Sequence, residues 1–364
     1  MPEVRRIQKF GKSTLMVSLP ASWVKAMGLV SGDSISIEVM EDGTLRLAPL
    51  QLVQRKGEKR LRVKVSRGSS EALLTRSIIA GYLLGVDVIT IDAMDGVLTE
   101  THLKNIRNVV KDLLGAEIIE NTPSRISIQV LVDPSKYSAT NLLNRVINLV
   151  RFMLQHIQTA LLDRKIYLLS EVQEMEKEVD RLHALAVRQF LQAQNDRSLA
   201  KHLGIKSSLI PEYRGIIKAL EEAADALSNL AQILSDERNQ DIIDVLRLNV
   251  DILKECLDYI LMVIDRLDKV FKTLDPYITN GVLNMISEYY ILIRKYDEMM
   301  FKSLKAIEAT TGKEMSVDKK YLHLREFIDK LIEVGRMMES AAESAFDISI
   351  DKTGEILDIS RIFL

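Results

Sequence analysis

The stretch IKALEEAADALSNLAQIL, residues 217–234, repeats apolar side chains every three or four residues. Its apolar positions are Ile217, Leu220, Ala224, Leu227, Ala231 and Leu234. This spacing places them on one face of an α-helix. That apolar face is shielded from water only when the helix packs against other helices. The same spacing occurs at Val172, Met175, Val179, Leu182 and Ala186. From about residue 139 we therefore expect six long helices in two three-helix bundles, with breaks near Arg164, 195–208, 235–239, Pro276 and 310–317.

Glycine and proline divide the chain of 364 residues unevenly. Residues 1–135 contain 10 glycines and 5 prolines, whereas the longer stretch 136–364 contains 6 and 2. Both residues favour turns and destabilise helix interiors. The first third is therefore expected to have short elements joined by turns. We expect three domains, at residues 1–52, 61–135 and 139–350.

Two patterns predict the elements of the first third. Residues 5–19 read as a strand with a break at Gly11-Lys12-Ser13, and a short helix follows. Residues 34–39 alternate with period two, which predicts a strand, and Asp42-Gly43 predicts the hairpin turn into the next strand. Residues 61–135 alternate between strand-like and helical segments, which predicts a small α/β layer with a parallel or mixed sheet.

Charge is divided between the two ends of the chain. Residues 1–67 carry 13 Lys and Arg against 6 Asp and Glu, a net charge of +7, and the remainder carries a net of −9. The overall charge of −2 excludes a uniformly basic protein of the histone kind. Because the positive charge lies within the turn-rich first third, it indicates a separate function for that part. Chance clustering of charge is the alternative.

The cysteine content and the hydropathy pattern predict the compartment. Cys256, the one cysteine, cannot form an internal disulfide, which favours a reducing environment. No uncharged apolar run reaches the ~18 residues that a membrane span needs. Met1 is followed by charged residues rather than by a signal-peptide pattern. We therefore expect a cytoplasmic protein without membrane insertion.

Acidic residues recur in one register of the helical part. Glu176 and Asp180 are four residues apart, as are Glu221 and Asp225. In heptads that place the apolar residues at a and d, each pair occupies positions e and b, on one helix face beside the apolar seam. Like charges four residues apart repel, so a helix gains from them only when a cation lies between them. A solvated acidic face is the alternative.

A weaker second copy follows later in the chain. Asp297 and Glu339 are 42 residues apart, against 41 for the corresponding acids of the first copy. Glu339 and Glu343 again take positions e and b, but Ile293 stands four residues before Asp297, where an acid is expected. The seven acids together predict a metal-binding body. All-oxygen ligands suit Mg²⁺, Mn²⁺ or Fe better than Zn²⁺.

At these motifs the helical part resembles the PhoU family of phosphate-uptake regulators, over about residues 140–350. Residues 220–225, Leu-Glu-Glu-Ala-Ala-Asp, are similar to the family's Leu-Glu-Arg-Ile-Gly-Asp signature, and residues 338–343 form a more divergent copy. The resemblance implies two tandem three-helix bundles with metal ions on the acidic motifs, to which Glu176 and Asp180 contribute. It also implies a partner, the ATPase of a phosphate transporter or another phosphate-signalling protein.

The first fifty residues resemble the AbrB/SpoVT/MazE-type swapped-hairpin DNA-binding domain. The matching features, in order, are Gly11-Lys12-Ser13, Leu19-Pro20, Met27-Gly28-Leu29, Ser31-Gly32-Asp33 and Asp42-Gly43. The resemblance implies an obligate intertwined homodimer that binds DNA. The sequence therefore predicts a multidomain, mainly α protein. It comprises an N-terminal swapped-hairpin β domain, a small α/β domain of unknown role and two tandem three-helix bundles.

The basic residues of the first strand fit a DNA-binding role. Arg5, Arg6, Lys9 and Lys12 lie on or beside this strand, opposed by Glu3. Doubled by a two-fold axis, they would supply eight cations for phosphate groups. An inert basic strand is the alternative.

Together with the charge division, the two resemblances imply a DNA-binding regulator of phosphate uptake and phosphate homeostasis, and not an enzyme. The sequence contains no Gly-rich phosphate loop, nucleophile elbow or paired cysteine motif. Two alternatives stay open: a PhoU-like adaptor that acts on a phosphate transporter without binding DNA, and a di-metal carboxylate enzyme. The enzyme would need an acid-x-x-His pair twice, and Asp180-x-x-His183 supplies it once among the repeated acids.

Overall fold

The structure is a computed structural model that describes residues 3–39, 43–51, 58–133, 136–236, 242–311, 319–354 and 357. It divides the chain into two compact units, Met1–Lys59 and Arg60–Leu364. The second unit contains both the α/β segment and the helices. The expected boundary between those two parts stays a prediction.

Two antiparallel hairpins and a short helix make up the first unit. The elements are β1 (Gln8–Phe10), β2 (Thr14–Met16), α1 (Ala21–Ala26), β3 (Ile35–Val39) and β4 (Leu45–Pro49). Strands β1 and β2 pair with each other, as do β3 and β4. The turn between β1 and β2 holds Gly11 at φ +66°, in the left-handed region that favours glycine. The hairpin of β3 and β4 was expected from the sequence, although Asp42 lies outside the described residues. The break expected at Gly11-Lys12-Ser13 is a turn that folds the first segment into the hairpin of β1 and β2.

The first unit has almost no core within one chain. Pro49 is the only buried residue among those that the structure describes between residues 3 and 51. Ile7, Ile37 and Val39 are 68%, 64% and 72% exposed. A unit this small needs most of its apolar surface out of water to be stable. The exposed apolar side chains therefore require a covering surface from outside this unit.

The second unit begins with a mixed four-stranded sheet covered by two helices. Its elements are β5 (Arg60–Val65), α2 (Glu71–Leu83), β6 (Val88–Ala93), α3 (Glu100–Lys111), β7 (Ala116–Thr122) and β8 (Arg125–Val130). The strand order is β5-β6-β8-β7, with β5 and β6 parallel and the other pairs antiparallel. The sheet is thus mixed, which is one of the two expected forms.

A hydroxyl side chain caps the N-terminus of each of the two helices in this α/β segment. The hydroxyl of Ser70 accepts a hydrogen bond from the Leu73 amide, and the hydroxyl of Thr99 accepts one from the His102 amide. Each bond satisfies an amide that the first helical turn leaves unpaired. Apolar side chains of both helices and of β6 and β8 then form one core.

Six long helices make up most of the rest of the described chain. They are α4 (Ala139–Asp163), α5 (Leu168–Ala193), α7 (Ile210–Ser235), α9 (Val250–Thr273), α10 (Pro276–Thr311) and α11 (Lys319–Thr353). Two short helices that were not expected, α6 (Arg197–Leu203) and α8 (Ile242–Leu246), lie in the connections. Arg164 ends α4 in a left-handed conformation, and Pro276 begins α10, as their positions in the sequence predict.

The six helices pack in two groups of three. Helices α4, α5 and α7 contact one another, and so do α9, α10 and α11. The contacts of α7 with α11 and of α4 with α9 join the groups, and one continuous core runs through both. The α/β segment packs against α5 through α2. No helix of the described residues combines the length and the apolar character that crossing a bilayer requires.

Candidate metal centre and nucleic-acid interface

Three of the expected acids meet between α5 and α7. Glu176 and Asp180 lie on successive turns of α5, and Asp225 faces them from α7; one carboxylate oxygen of each lies within 4.8 Å of the others. Ala223 and Ala224, next to Asp225 on α7, are fully buried, and their small side chains allow the two helices to approach closely. Among the residues that the structure describes, this is the only group of three possible metal-ligating side chains so close together.

The crowding of these carboxylates disfavours their charged forms. Partial burial, and then the charges of Glu176 and Asp225, raise the pKa of Asp180 from 3.8 to about 7. Burial and the charge of Asp225 raise the pKa of Glu176, and burial and the charge of Glu221 raise that of Asp225. A cation between the three groups would remove this repulsion.

The three carboxylates fit a hard divalent cation. Two oxygen ligands of one Mg²⁺ lie about 3–4 Å apart, because the metal–oxygen distance is about 2.1 Å. The separations of up to 4.8 Å need side-chain adjustments of less than about 1 Å to reach this geometry. Glu176, Asp180 and Asp225 would hold the ion, and waters would complete its coordination. The prediction of Mg²⁺, Mn²⁺ or Fe stays a prediction.

Glu221, the fourth acid of the first copy, has protein partners of its own. Lys218 donates a hydrogen bond to its carboxylate at 2.5 Å, and Nδ1 of His183 lies 3.8 Å from it. Burial, followed by the positive charges of Lys218 and Arg214, lowers the pKa of His183 from 6.5 to about 4. His183 is therefore a neutral imidazole at the edge of the acidic group.

The second copy of the acidic motif is arranged differently. Arg325 forms an ion pair with Asp297, and the hydroxyl of Tyr290 donates to Glu339 at 2.7 Å. In the described part of the chain, Asp297, Glu339 and Glu343 do not form a three-carboxylate group like the first. Because two of these acids already have partners within the chain, the second metal site stays a prediction without geometric support.

The four predicted DNA-binding residues follow one hairpin of the first unit. Arg5 and Arg6 precede β1, Lys9 lies within it opposite Leu15 of β2, and Lys12 occupies the turn. All four side chains are exposed, and Arg5 forms an ion pair with Glu3. The hairpin thus presents several cations to solvent, as contact with phosphate groups requires.

The helical geometry agrees with a known family. Residues 143–234, which span α4, α5 and α7, match the family described as PhoU domain. The first three-helix group is a PhoU domain. The acidic group between α5 and α7 therefore lies inside this PhoU domain.

The first unit matches a second family. Residues 8–55 match the family described as antidote-toxin recognition MazE, bacterial antitoxin. A domain of this type indicates DNA binding and dimerisation. Its combination with a PhoU domain in one chain indicates a regulator related to phosphate homeostasis, since both families are regulatory rather than enzymatic. Comparison with curated proteins gives no match.

Sequence reasoning missed the side chains that pair with the acids of the second copy. Tyr290 and Arg325 lie on α10 and α11, in stretches where neither carries a motif. Their pairing with Glu339 and Asp297 depends on how the two helices cross. Ile293 was the one available signal, because it breaks the acidic pattern at this place.

Proposed function

We propose that the protein is a dimeric DNA-binding regulator of phosphate uptake and phosphate homeostasis. The supporting observation is the union, in one chain, of a MazE-type domain that exposes cations along a hairpin with a PhoU domain that gathers three carboxylates. The first part would bind promoter DNA. The second would bind a divalent cation, and through it the protein would respond to phosphate status.

Dimerisation through the first unit explains its exposed apolar side chains. Ile37 and Val39 share one face of β3, and both are more than half exposed in a single chain. Pairing with a second copy would bury them and supply the missing core. The same pairing would bring two sets of Arg5, Arg6, Lys9 and Lys12 to one DNA duplex.

The central test measures how salt affects DNA binding by the full-length protein. Fluorescence anisotropy with promoter fragments of phosphate-transport genes should show binding that weakens steeply as salt rises. Combined Arg6→Ala and Lys9→Ala substitutions remove four cations from a dimer. The slope of log K against log salt should then fall by about 3–4, at roughly 0.9 per phosphate contact.

A matched control removes a cation from the other unit. Lys254, on α9, forms a surface ion pair with Asp258, and Lys254→Ala should leave the slope unchanged. Absence of DNA binding at low salt would contradict the proposal. So would an unchanged slope in the double variant, and the adaptor that acts on a phosphate transporter without DNA would then be the better interpretation.

The dimer has its own test. Sedimentation of the full-length protein should give twice the mass of the 41.2 kDa chain. Ile37→Asp together with Val39→Asp places charges on the face that we expect to be buried, and should yield monomers that bind DNA weakly. A dimer that survives both substitutions would show that this face is not the interface.

A further inference from the structure

A cleft of about 480 Å³ separates the α/β segment from the PhoU domain. Helices α2 and α3 form one wall, and α5 and α7 form the other. This volume lies within the range of small-molecule sites, roughly 300–1,000 Å³. The cleft therefore has room for an organic molecule, which is larger than a hydrated ion.

The wall on the α/β side is mostly apolar. It consists of Ile79 and Leu83 on α2, Val109 on α3 and Leu113 just after α3, and Ala184 of α5 extends it. Contact with these side chains stabilises a ligand in proportion to the apolar area that it buries. A bare metal ion gains nothing from them, whereas a hydrocarbon chain or ring does.

The polar groups of the cleft carry a surplus of negative charge. Asp112, directly after α3, Asp180 of α5 and Glu221 of α7 line it, and Glu221 is already paired with Lys218. Lys177 is the basic residue of the lining, and its ammonium group donates to Glu174 on its own helix at 2.7 Å. The charge of Asp112 also acts on Lys177, so the two groups lie within electrostatic range of each other. Anionic ligands would be repelled and cationic ligands attracted.

Hydrogen bonds connect the two walls close to the cleft. Arg188, one turn beyond Ala184 on α5, donates hydrogen bonds to the carbonyl oxygens of Tyr82 and Val86, at the end of α2. These bonds keep α2 at a set distance from α5. The cleft is thus a largely preformed site, which reduces the cost of ordering on binding.

We propose that this cleft binds a small organic ammonium ion with an apolar body. The head group lies against Asp112, which the proposed metal site does not use, and the body packs on Ile79, Leu83 and Val109. This binding goes beyond the proposed function, because it requires neither DNA nor phosphate. It also gives the α/β segment a role, as one wall of a ligand site in the body of the protein.

Three probes with the same six-carbon chain test the charge of the ligand: hexylammonium, hexanol and hexanoate. They are titrated into the full-length protein in EDTA, without DNA, and followed by saturation-transfer NMR and calorimetry. Ligands of this size reach millimolar affinity in a good site. Hexylammonium should bind at least about tenfold tighter than hexanoate, a difference of about 1.4 kcal/mol. Equal binding of all three probes, or no binding of hexylammonium up to about 10 mM, would overturn the proposal.

Variants on the α/β side place the site without disturbing the acidic group of the PhoU domain. Asp112 is exposed, so the Asp112→Asn and Asp112→Lys proteins should fold normally. Asp112→Asn should weaken hexylammonium binding about threefold, and Asp112→Lys about tenfold or more. Ile79→Trp fills the cleft and should abolish binding of hexylammonium and hexanol. Ile291→Trp, on the exposed face of α10, is the matched control and should change nothing. Unchanged binding in the Asp112 variants would show that the probe binds elsewhere.

The DNA assays keep this proposal apart from the proposed function. The Asp112 variants should retain the salt-dependent DNA binding of the unaltered protein, because they change the second unit. The smaller salt slope of DNA binding in the Arg6→Ala and Lys9→Ala protein should be accompanied by unchanged hexylammonium binding. Hexylammonium binding can therefore be contradicted while DNA binding is confirmed, and DNA binding can be contradicted while hexylammonium binding is confirmed.

Discussion

The guanidinium group of Arg188 lies over the ring of Tyr82, 5.1 Å from its centroid, and donates a hydrogen bond of 2.6 Å to the carbonyl oxygen of the same residue. A second bond of 2.9 Å reaches the carbonyl oxygen of Val86. Arg188 is 3% exposed, so these contacts are made away from water, where hydrogen bonds to a charged group are strongest. One side chain of the PhoU domain thus holds the end of α2 in the α/β segment.

Replacing this arginine should loosen the α/β segment. Arg188→Met keeps an apolar stem but removes both hydrogen bonds, and should lower the free energy of unfolding by about 2–4 kcal/mol. Hydrogen exchange of residues 71–93 should speed up more than that of α4. Arg145→Met, which removes a surface ion pair with Glu178, is the control and should cost less than about 1 kcal/mol. Equal exchange rates in the Arg188 variant and the unaltered protein would contradict this role.

A buried amide in α5 should be a point of instability. Gln189 is 0% exposed, and neither oxygen nor nitrogen of its amide has a hydrogen-bond partner among the described residues. It continues the apolar seam of α5, three residues beyond Ala186. Gln189→Met has nearly the same shape and no amide, so it should raise the free energy of unfolding by about 1–2 kcal/mol in urea denaturation. A loss of stability would indicate that the amide makes a favourable contact.

Asp180 and His183 should have opposite effects on stability as pH changes in the metal-free protein. The raised pKa of Asp180, about 7 against 3.8, means that the folded state retains a proton between these values, so this group's contribution to stability falls as pH rises. The lowered pKa of His183, about 4 against 6.5, means that the unfolded state binds the extra proton, so its contribution rises with pH. The two effects oppose each other between about pH 4 and 6.5.

Single substitutions should separate these two effects. Relative to the unaltered protein, Asp180→Asn should gain about 1–2 kcal/mol between about pH 4.5 and 6.5, after allowance for solvent screening at this partly exposed side chain. His183→Gln should also gain, because it removes the protonation that stabilises the unfolded state. Its gain should grow as pH falls, whereas that of Asp180→Asn should grow as pH rises. Urea denaturation in EDTA measures both differences. Gains that change with pH in the same direction in the two variants would contradict the assignment.

Binding of a divalent cation should stabilise the PhoU domain. Mn²⁺ at about 100 times its dissociation constant should raise the free energy of unfolding by about 2.7 kcal/mol, and the effect should grow from pH 6 to pH 8 as Asp180 loses its proton. Asp225→Asn should remove most of this effect. Glu222→Gln is the control, since Glu222 neighbours the group without belonging to it. The same stabilisation in both variants would place the ion elsewhere.

Gly335 should be intolerant of a methyl group. A Cβ atom there would lie 2.8 Å from a ring carbon of Tyr289. The Tyr289 side chain lies close to α11 and donates a hydrogen bond to the Leu331 carbonyl oxygen. Gly335→Ala should therefore lower the free energy of unfolding by about 1–3 kcal/mol. Gly281→Ala on α10 meets nothing within 4 Å and should instead raise it by up to about 1 kcal/mol, because alanine favours helix. Thermal or urea denaturation compares the two. A stable Gly335→Ala protein would mean that α10 and α11 can move apart at no cost.

Local patterns predicted most elements of the fold. The period of three and four residues indicated the long helices, and the alternation of residues 34–39 indicated β3. The short helices α6 and α8 were missed because each has fewer than two turns, so its apolar spacing barely repeats, and no proline like that before α1 marks its start. The strand order of the α/β sheet also stayed open, because a strand pattern does not specify its neighbour.

The acidic motifs show where prediction from sequence ended. The two copies look alike in heptad register, yet Glu176, Asp180 and Asp225 converge while Asp297 pairs with Arg325. Register specifies the face of a helix and not the residues that lie opposite it. The difference between the copies therefore became visible only after the helices were placed side by side.

The sequence by itself determined the helical body, the basic residues of the first strand and the faces on which the acids lie, because these follow from the spacing of residues within single elements. Tertiary structure alone decided which carboxylates meet, and it created the cleft between the α/β segment and the PhoU domain. It also brought Arg188 to Tyr82, 106 residues away along the chain. Contacts of this kind depend on how complete helices and sheets pack, and the periodicity of a single element does not specify that packing.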